Sequence, residues 1–151
     1  MAIEIIKRAL KAVTYNPQRH ARKLAFISIE AGALILPSAR FIFRLGSRSF
    51  KGHIRISSGA IVANEFIFES NQGEVNIGRG TFINSGTKLI CRERISIGED
   101  VTIAWGCTIY DHNSHSLAWQ DRVSDIRQQM IDIQAGRNFI SSKNWSNVKS
   151  R

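Results

Sequence analysis

Ile97-Gly98-Glu99-Asp100-Val101-Thr102-Ile103-Ala104-Trp105-Gly106-Cys107-Thr108-Ile109 places an isoleucine at every sixth position, and the fold class follows from that interval. The same interval occurs one unit earlier as Ile77, Ile83 and Leu89, and before that as Ile56, Val62 and Phe68. Six residues supply one short strand and a corner, so every sixth side chain returns to the same inward position and packs on its counterpart in the next coil. Short insertions, near 72–74 and at Ile95-Ser96, reset the phase between the sets. If three hexads make one coil, the expected columns are Ile56/Ile77/Ile97, Val62/Ile83/Ile103 and Phe68/Leu89/Ile109.

Small residues keep the same period. Gly78 and Gly98 follow the inward isoleucines at positions where a tight corner tolerates little bulk, and Thr81, Thr87, Val101 and Cys107 mark a second restricted place. The competing reading is an antiparallel β-sandwich, whose strands also alternate apolar and polar residues but whose turns come at less regular intervals. The regular interval favours a parallel β-helix spanning 54–110.

The flanks read differently. Ile3, Ile6, Leu10 and Val13 lie at helical spacing with Lys7, Arg8 and Lys11 between them, which predicts an amphipathic helix ending at Asn16-Pro17. A second helix is expected over 19–36, stopped by Pro37. The stretch 38–51 has no clear pattern. The expected organisation is therefore a basic helical region at 1–53, hexapeptide coils at 54–110, and a loop, helix and linker at 111–151. In that last part, Val123, Ile126, Met130 and Ile133 form a helical stripe with Asp121 or Ser124 as cap, placed to cover the end of the last coil.

With 43% hydrophobic residues in 151, the chain can bury the core of one domain and is unlike a disordered protein. Cys91 and Cys107 show neither CxxC spacing nor a dense pattern, which predicts reduced thiols and a cytoplasmic location. No secretory signal is visible at the start, so the Asn144-Trp145-Ser146 sequon is expected to be idle. The longest apolar run, 24–36, is shorter than the roughly 20 residues needed to span a bilayer.

The net charge of +9 is concentrated early in the chain. A basic field attracts a nucleotide cofactor, an anionic membrane surface or a nucleic acid without choosing among them, and a solvated helix face is an equally ordinary reading. The aromatic residues do not interleave with the basic ones as a single-strand groove would require, so nucleic acid is not an expected partner. Gly78-Arg79-Gly80 lacks the third glycine of a dinucleotide fingerprint, and no P-loop occurs.

After Ile109 the repeat gives way to Tyr110-Asp111-His112-Asn113-Ser114-His115-Ser116-Leu117. I-G-x-x-[TV]-x hexads followed by a histidine loop resemble the left-handed β-helix acyltransferases, in particular maltose and galactoside O-acetyltransferases and surface-polysaccharide acetyltransferases of the colanic acid type. The resemblance covers about 54–117. It implies a left-handed helix, a homotrimer, acetyl-CoA as donor and a hydroxyl of a sugar or glycan precursor as acceptor.

It also implies a histidine general base, best matched by His115 in His115-Ser116-Leu117, with His112 second. Imidazole suits the task because an alcohol needs to lose its proton as it attacks a thioester near neutral pH. Asn84, one coil earlier, matches an acceptor-orienting asparagine; its plain alternative is a corner residue. Asp111 could orient a histidine ring or bind acceptor hydroxyls, or be an ordinary exposed loop acid. The H-x-x-H pair offers two ligands and neither cysteine completes a tetrahedral set, so no metal is expected.

Relatives of that kind carry further coils after the helix, whereas this sequence ends at Arg151. The expectation is a shortened solenoid whose catalytic competence needs testing. The alternative is a noncatalytic β-helix that binds a partner or an anionic membrane surface through its basic N-terminal region.

Overall fold

The computed structural model of the chain describes residues 15–137. Twelve short strands build three parallel four-stranded sheets, and each stacked rung contributes one strand to each sheet. The first rung holds β1 (Ile27–Ile29), β2 (Leu34–Ile35) and β3 (Arg40–Phe43); the second holds β4 (His53–Ile56), β5 (Ile61–Val62) and β6 (Glu65–Phe68). The third holds β7 (Glu74–Ile77), β8 (Phe82–Ile83) and β9 (Lys88–Cys91), and the fourth β10 (Arg94–Ile97), β11 (Thr102–Ile103) and β12 (Thr108–Tyr110). This is a β-solenoid, with sheet A running β1-β4-β7-β10, sheet B β2-β5-β8-β11 and sheet C β3-β6-β9-β12.

Two of the three expected columns form. Ile56 pairs with Ile77 and Ile77 with Ile97; Val62 pairs with Ile83 and Ile83 with Ile103. The third column is corrected by two residues. Leu89 stacks on Phe66, while Phe68 stacks on Cys91. The corner between β5 and β6 is shortened to Ala63-Asn64, so the inward step from Val62 to Phe66 is four residues where Ile83 to Leu89 is six. Phe68 is then the next inward residue of the same strand, which is why it kept the apparent period.

The helix expected over 19–36 is replaced by a further rung. A short helix, α1 (Pro17–Ala21), is capped by Asn16, whose Oδ1 accepts from the Arg19 amide at 2.8 Å; beyond it the chain enters β1 and β2. Ile29, Ile35 and Phe41 are six apart and align with Ile56, Val62 and Phe66. The solenoid therefore begins at Ile27, inside the region expected to be helical. The expected amphipathic helix at 3–13 lies outside the described residues.

The interior is continuous. Ile54, Ile56, Val62, Phe66, Phe68, Val75, Ile77, Ile83 and Leu89 are all at most 1% exposed, and a fully buried side chain of this size stabilises by roughly 1.5–3 kcal/mol. Phe41 stacks on Phe66 at 5.0 Å, and Phe43 on Phe68 at 5.4 Å, so aromatic rings continue the column from rung to rung.

The restricted corner positions have two explanations. A Cβ on Gly78 would stand 2.3 Å from the carbonyl oxygen of Gly98, so bulk is excluded there by the next rung. Thr81 and Thr87 are buried, and each hydroxyl bridges rungs. Thr81 Oγ1 donates to Gly98 O at 2.7 Å and accepts from Val101 N at 3.2 Å; Thr87 Oγ1 does the same with Ala104 O and Cys107 N at 2.8 and 3.2 Å.

Beyond β12 the chain forms α2 (Trp119–Arg122) and α3 (Asp125–Gln134). Ser124 occupies the N-cap position of α3 but makes no side-chain capping bond. The expected covering of the last rung is also corrected. Val123, Ile126, Met130 and Ile133 are exposed, and Ile97, Ile103 and Ile109 remain only partly buried, so the apolar stripe of α3 does not pack on that rung.

Candidate functional site

Asp111 follows β12 in register with Cys91, and so continues the inward column of Phe43, Phe68 and Cys91 with a carboxylate. A buried charge needs several donors, and Asp111 has them. The backbone amides of Arg92, Glu93 and Arg94 donate to it at 2.7–3.0 Å, the Cys91 thiol lies at 3.4 Å, and Nδ1 of His112 at 2.8 Å. Three successive amides turned onto one carboxylate fix the turn between β9 and β10. Burial works against the charge of Asp111, but the hydrogen bonds from His112 and from the amides outweigh it and lower its pKa to about 2.

The side chain of His112 is fully buried, with Nε2 3.0 Å from Oε2 of Glu69 and its ring edge-on to Tyr110. Burial disfavours its positive charge, yet hydrogen bonds to Asp111 and Glu69 and the charges of both raise its pKa to about 9. At neutral pH the ring is an imidazolium donating from both nitrogens. It has no lone pair to accept a proton, which makes it a charged clamp between the second rung and the loop after the fourth. Burial, reinforced by the charge and hydrogen bond of Asp111, pushes the Cys91 thiol far above the ordinary thiol range.

His115 stands in the opposite situation. Its side chain is 46% exposed, and Nδ1 lies 2.8 Å from Oδ2 of Asp125, a mostly buried acid in the first turn of α3. An acidic residue is favoured at a helix N-terminus. A proton held on Nδ1 by Asp125 leaves Nε2 as the basic nitrogen, the tautomer a general base requires. Ser116 Oγ donates to Asp121 at 2.7 Å and closes the loop toward α2.

Asn84 lies half-buried at the corner between β8 and β9, and its Oδ1 accepts from the Ser85 amide at 2.8 Å. That corner precedes the sheet C strands, whereas the histidine loop follows them. The four residues of β9 span roughly 13 Å between those two ends.

Asp111, expected to orient a histidine ring, to bind acceptor hydroxyls or to be an ordinary exposed acid, is buried with both oxygens engaged by chain donors, one of them the His112 ring, so the ring-orienting alternative is the one the geometry matches. Sequence reasoning missed Glu69 and Asp125. Glu69 is 43 residues from His112 and reaches it through the stacking of rungs, while Asp125 is distinguished by its place in the first turn after the loop.

Beside the Asp111-bound turn opens a polar cleft of about 630 Å³, lined by the 70–72 turn, Glu74 and the 92–94 turn. Glu74 and Arg94 form an ion pair at 2.8 Å on its wall. Among the described residues no group of three or more His, Cys, Asp or Glu side chains is arranged to hold a metal ion, and no helix is long and apolar enough to cross a membrane. Comparison with protein-family models, with curated proteins and with solved structures returns no match.

Proposed function

We propose that this chain is an acetyl-CoA-dependent O-acetyltransferase acting on a hydroxyl of a sugar or glycan precursor, with Nε2 of His115 as general base. The observation that carries the reading is the pairing of half-exposed His115 with Asp125 on the loop that follows the last hexad. In the reaction Nε2 takes the hydroxyl proton as the oxygen attacks the thioester carbonyl. The tetrahedral intermediate collapses with cleavage of the C–S bond, and the departing thiolate receives the proton back from the imidazolium. No acyl-enzyme is needed.

His112, charged and enclosed, serves in this reading as the brace of the loop that presents His115. The polar cleft between the 70–72 and 92–94 turns offers hydroxyl, amide and charged groups of the kind that bind a polyhydroxyl acceptor. In the same reading Asn84 orients the acceptor hydroxyl, within the homotrimer implied by the resemblance. The test is release of free coenzyme A thiol when the protein is incubated with acetyl-CoA and a panel of monosaccharides and nucleotide sugars. Turnover by the wild type that is lost in His115→Ala supports the reading; transfer that survives His115→Ala removes His115 from the mechanism.

One observation favours the noncatalytic alternative. Leu117, Trp119, Val123, Ile126 and Ile133 are each more than half exposed, a larger apolar surface than a free-standing loop and helix ordinarily present. A scaffold that binds a partner through this surface predicts no affinity for acetyl-CoA.

A further inference from the structure

The chain after the last rung presents an open apolar ridge. Leu117, Trp119, Val123, Ile126, Met130 and Ile133 are each more than half exposed. Within α3, Ile126, Met130 and Ile133 fall at i, i+4 and i+7, one face of a helix, and Val123 just before it extends the stripe. Neither α2 nor α3 packs appreciably on a strand of the solenoid, so this face is convex and open.

The charges around the ridge are sorted by sign. Asp125 and Asp132, at i and i+7, share a different side of α3, and each is held within the chain, Asp125 by His115 and Asp132 by Arg137. Asp121 accepts a hydrogen bond from Ser116. Arg122 directly precedes Val123 and Arg127 directly follows Ile126, so the two guanidiniums border the stripe; both residues are exposed, and neither pairs with a described acid. The acids are thus turned away and engaged, while the cations beside the apolar residues keep their charge for a partner.

We propose that this ridge docks on an anionic lipid surface, its apolar side chains entering the boundary between headgroups and acyl chains and Arg122 and Arg127 reaching the lipid phosphates. A convex ridge needs a deep groove in a protein partner, whereas a fluid bilayer boundary closes around it. Aliphatic residues with an indole on one face and arginine at the edges are the composition that lies in that boundary. Arginine lays its stem along apolar surface and keeps its charge among the headgroups. The net charge of +9 adds attraction toward the same surface. No described helix is long and apolar enough to cross the bilayer, so the described contact is with one leaflet. The proposal is independent of the acetyl-transfer reading.

Co-sedimentation of the full 151-residue protein with mixed phosphatidylcholine–phosphatidylglycerol vesicles, and with pure phosphatidylcholine vesicles, tests it. Wild type is expected to bind the mixed vesicles. Val123→Glu with Ile126→Glu is expected to weaken that binding by about tenfold or more. Arg122→Gln with Arg127→Gln is expected to weaken binding to the mixed vesicles and leave any binding to pure phosphatidylcholine unchanged. These substitutions alter no strand residue, and protection of β8 and β9 amides from hydrogen exchange shows that the solenoid is intact. Should the glutamates disturb α3, Val123→Ser with Ile126→Ser decides, because it removes apolar surface without adding charge. Wild type that ignores mixed vesicles overturns the proposal. Binding that persists in both apolar variants also overturns it, because the contact then lies elsewhere on a basic chain. A wild-type oligomer that the apolar variants break into monomers, with no vesicle binding, assigns the ridge to a second copy and overturns the lipid assignment.

Discussion

Nε2 of His112 lies 3.0 Å from Oε2 of Glu69, so a loop residue after the fourth rung is tied to the end of a strand in the second. Asp111 holds the other ring nitrogen and, through three backbone amides, the turn leading into the fourth rung. One buried charge cluster thus links rungs that the hydrophobic columns connect only stepwise.

That cluster sets a pH window. The pKa of His112 is raised to about 9 in the folded protein, so its contribution to stability is complete below about 6.5 and is lost as pH rises through 9. Asp111 is lowered to about 2, so its contribution is present above about 4 and is lost as pH falls through 2. Thermal unfolding followed from pH 3 to 10 is expected to show highest stability between about pH 4 and 6.5, with decline on the alkaline side. His112→Gln is expected to lower Tm at pH 6 and flatten that alkaline decline. An unchanged alkaline slope in the variant contradicts the charged clamp.

Thr87 makes a sharper test of stacking. Thr87→Val keeps the shape but leaves the Ala104 carbonyl and the Cys107 amide without their bridge, and a lost buried hydrogen bond costs about 1–3 kcal/mol. Thr87→Ser keeps the hydroxyl and should recover part of that loss in chemical denaturation. Equal stability of the Val and Ser variants would show that methyl packing, not bridging, selects threonine here.

Asp125 is expected to act through His115 as a positioning residue. Asp125→Asn keeps the size but removes the charge that stabilises the imidazolium, and is expected to lower kcat by about 10²–10⁴ with little change in KM. A KM effect alone would place Asp125 in acceptor binding.

Most of the solenoid was legible because Ile77, Ile83 and Leu89, and Ile97, Ile103 and Ile109, repeat an interval that no other common fold maintains. The first rung was not read because 24–36 is apolar enough to resemble a buried helix ending at Pro37, although Ile29, Ile35 and Phe41 carry the same period. The two-residue slip at Phe68 arose because β6 places apolar residues at three successive positions, 66–68, and the shortened corner at Asn64 leaves no mark in composition. The histidine loop stood out as the place where the repeat breaks, but the division between a buried His112 and a half-exposed His115 did not. That division rests on Glu69 and Asp125, which the stacking and α3 bring in from elsewhere in the chain.

The central claim is that the histidine loop serves acetyl transfer from acetyl-CoA, and calorimetric titration of the 151-residue protein with acetyl-CoA, alongside its oligomeric state in the same buffer, tests it most directly. Saturable binding that free acetate does not reproduce is the predicted result. A folded sample that takes up no acetyl-CoA would contradict the enzyme reading for this chain and leave the solenoid as a binding scaffold.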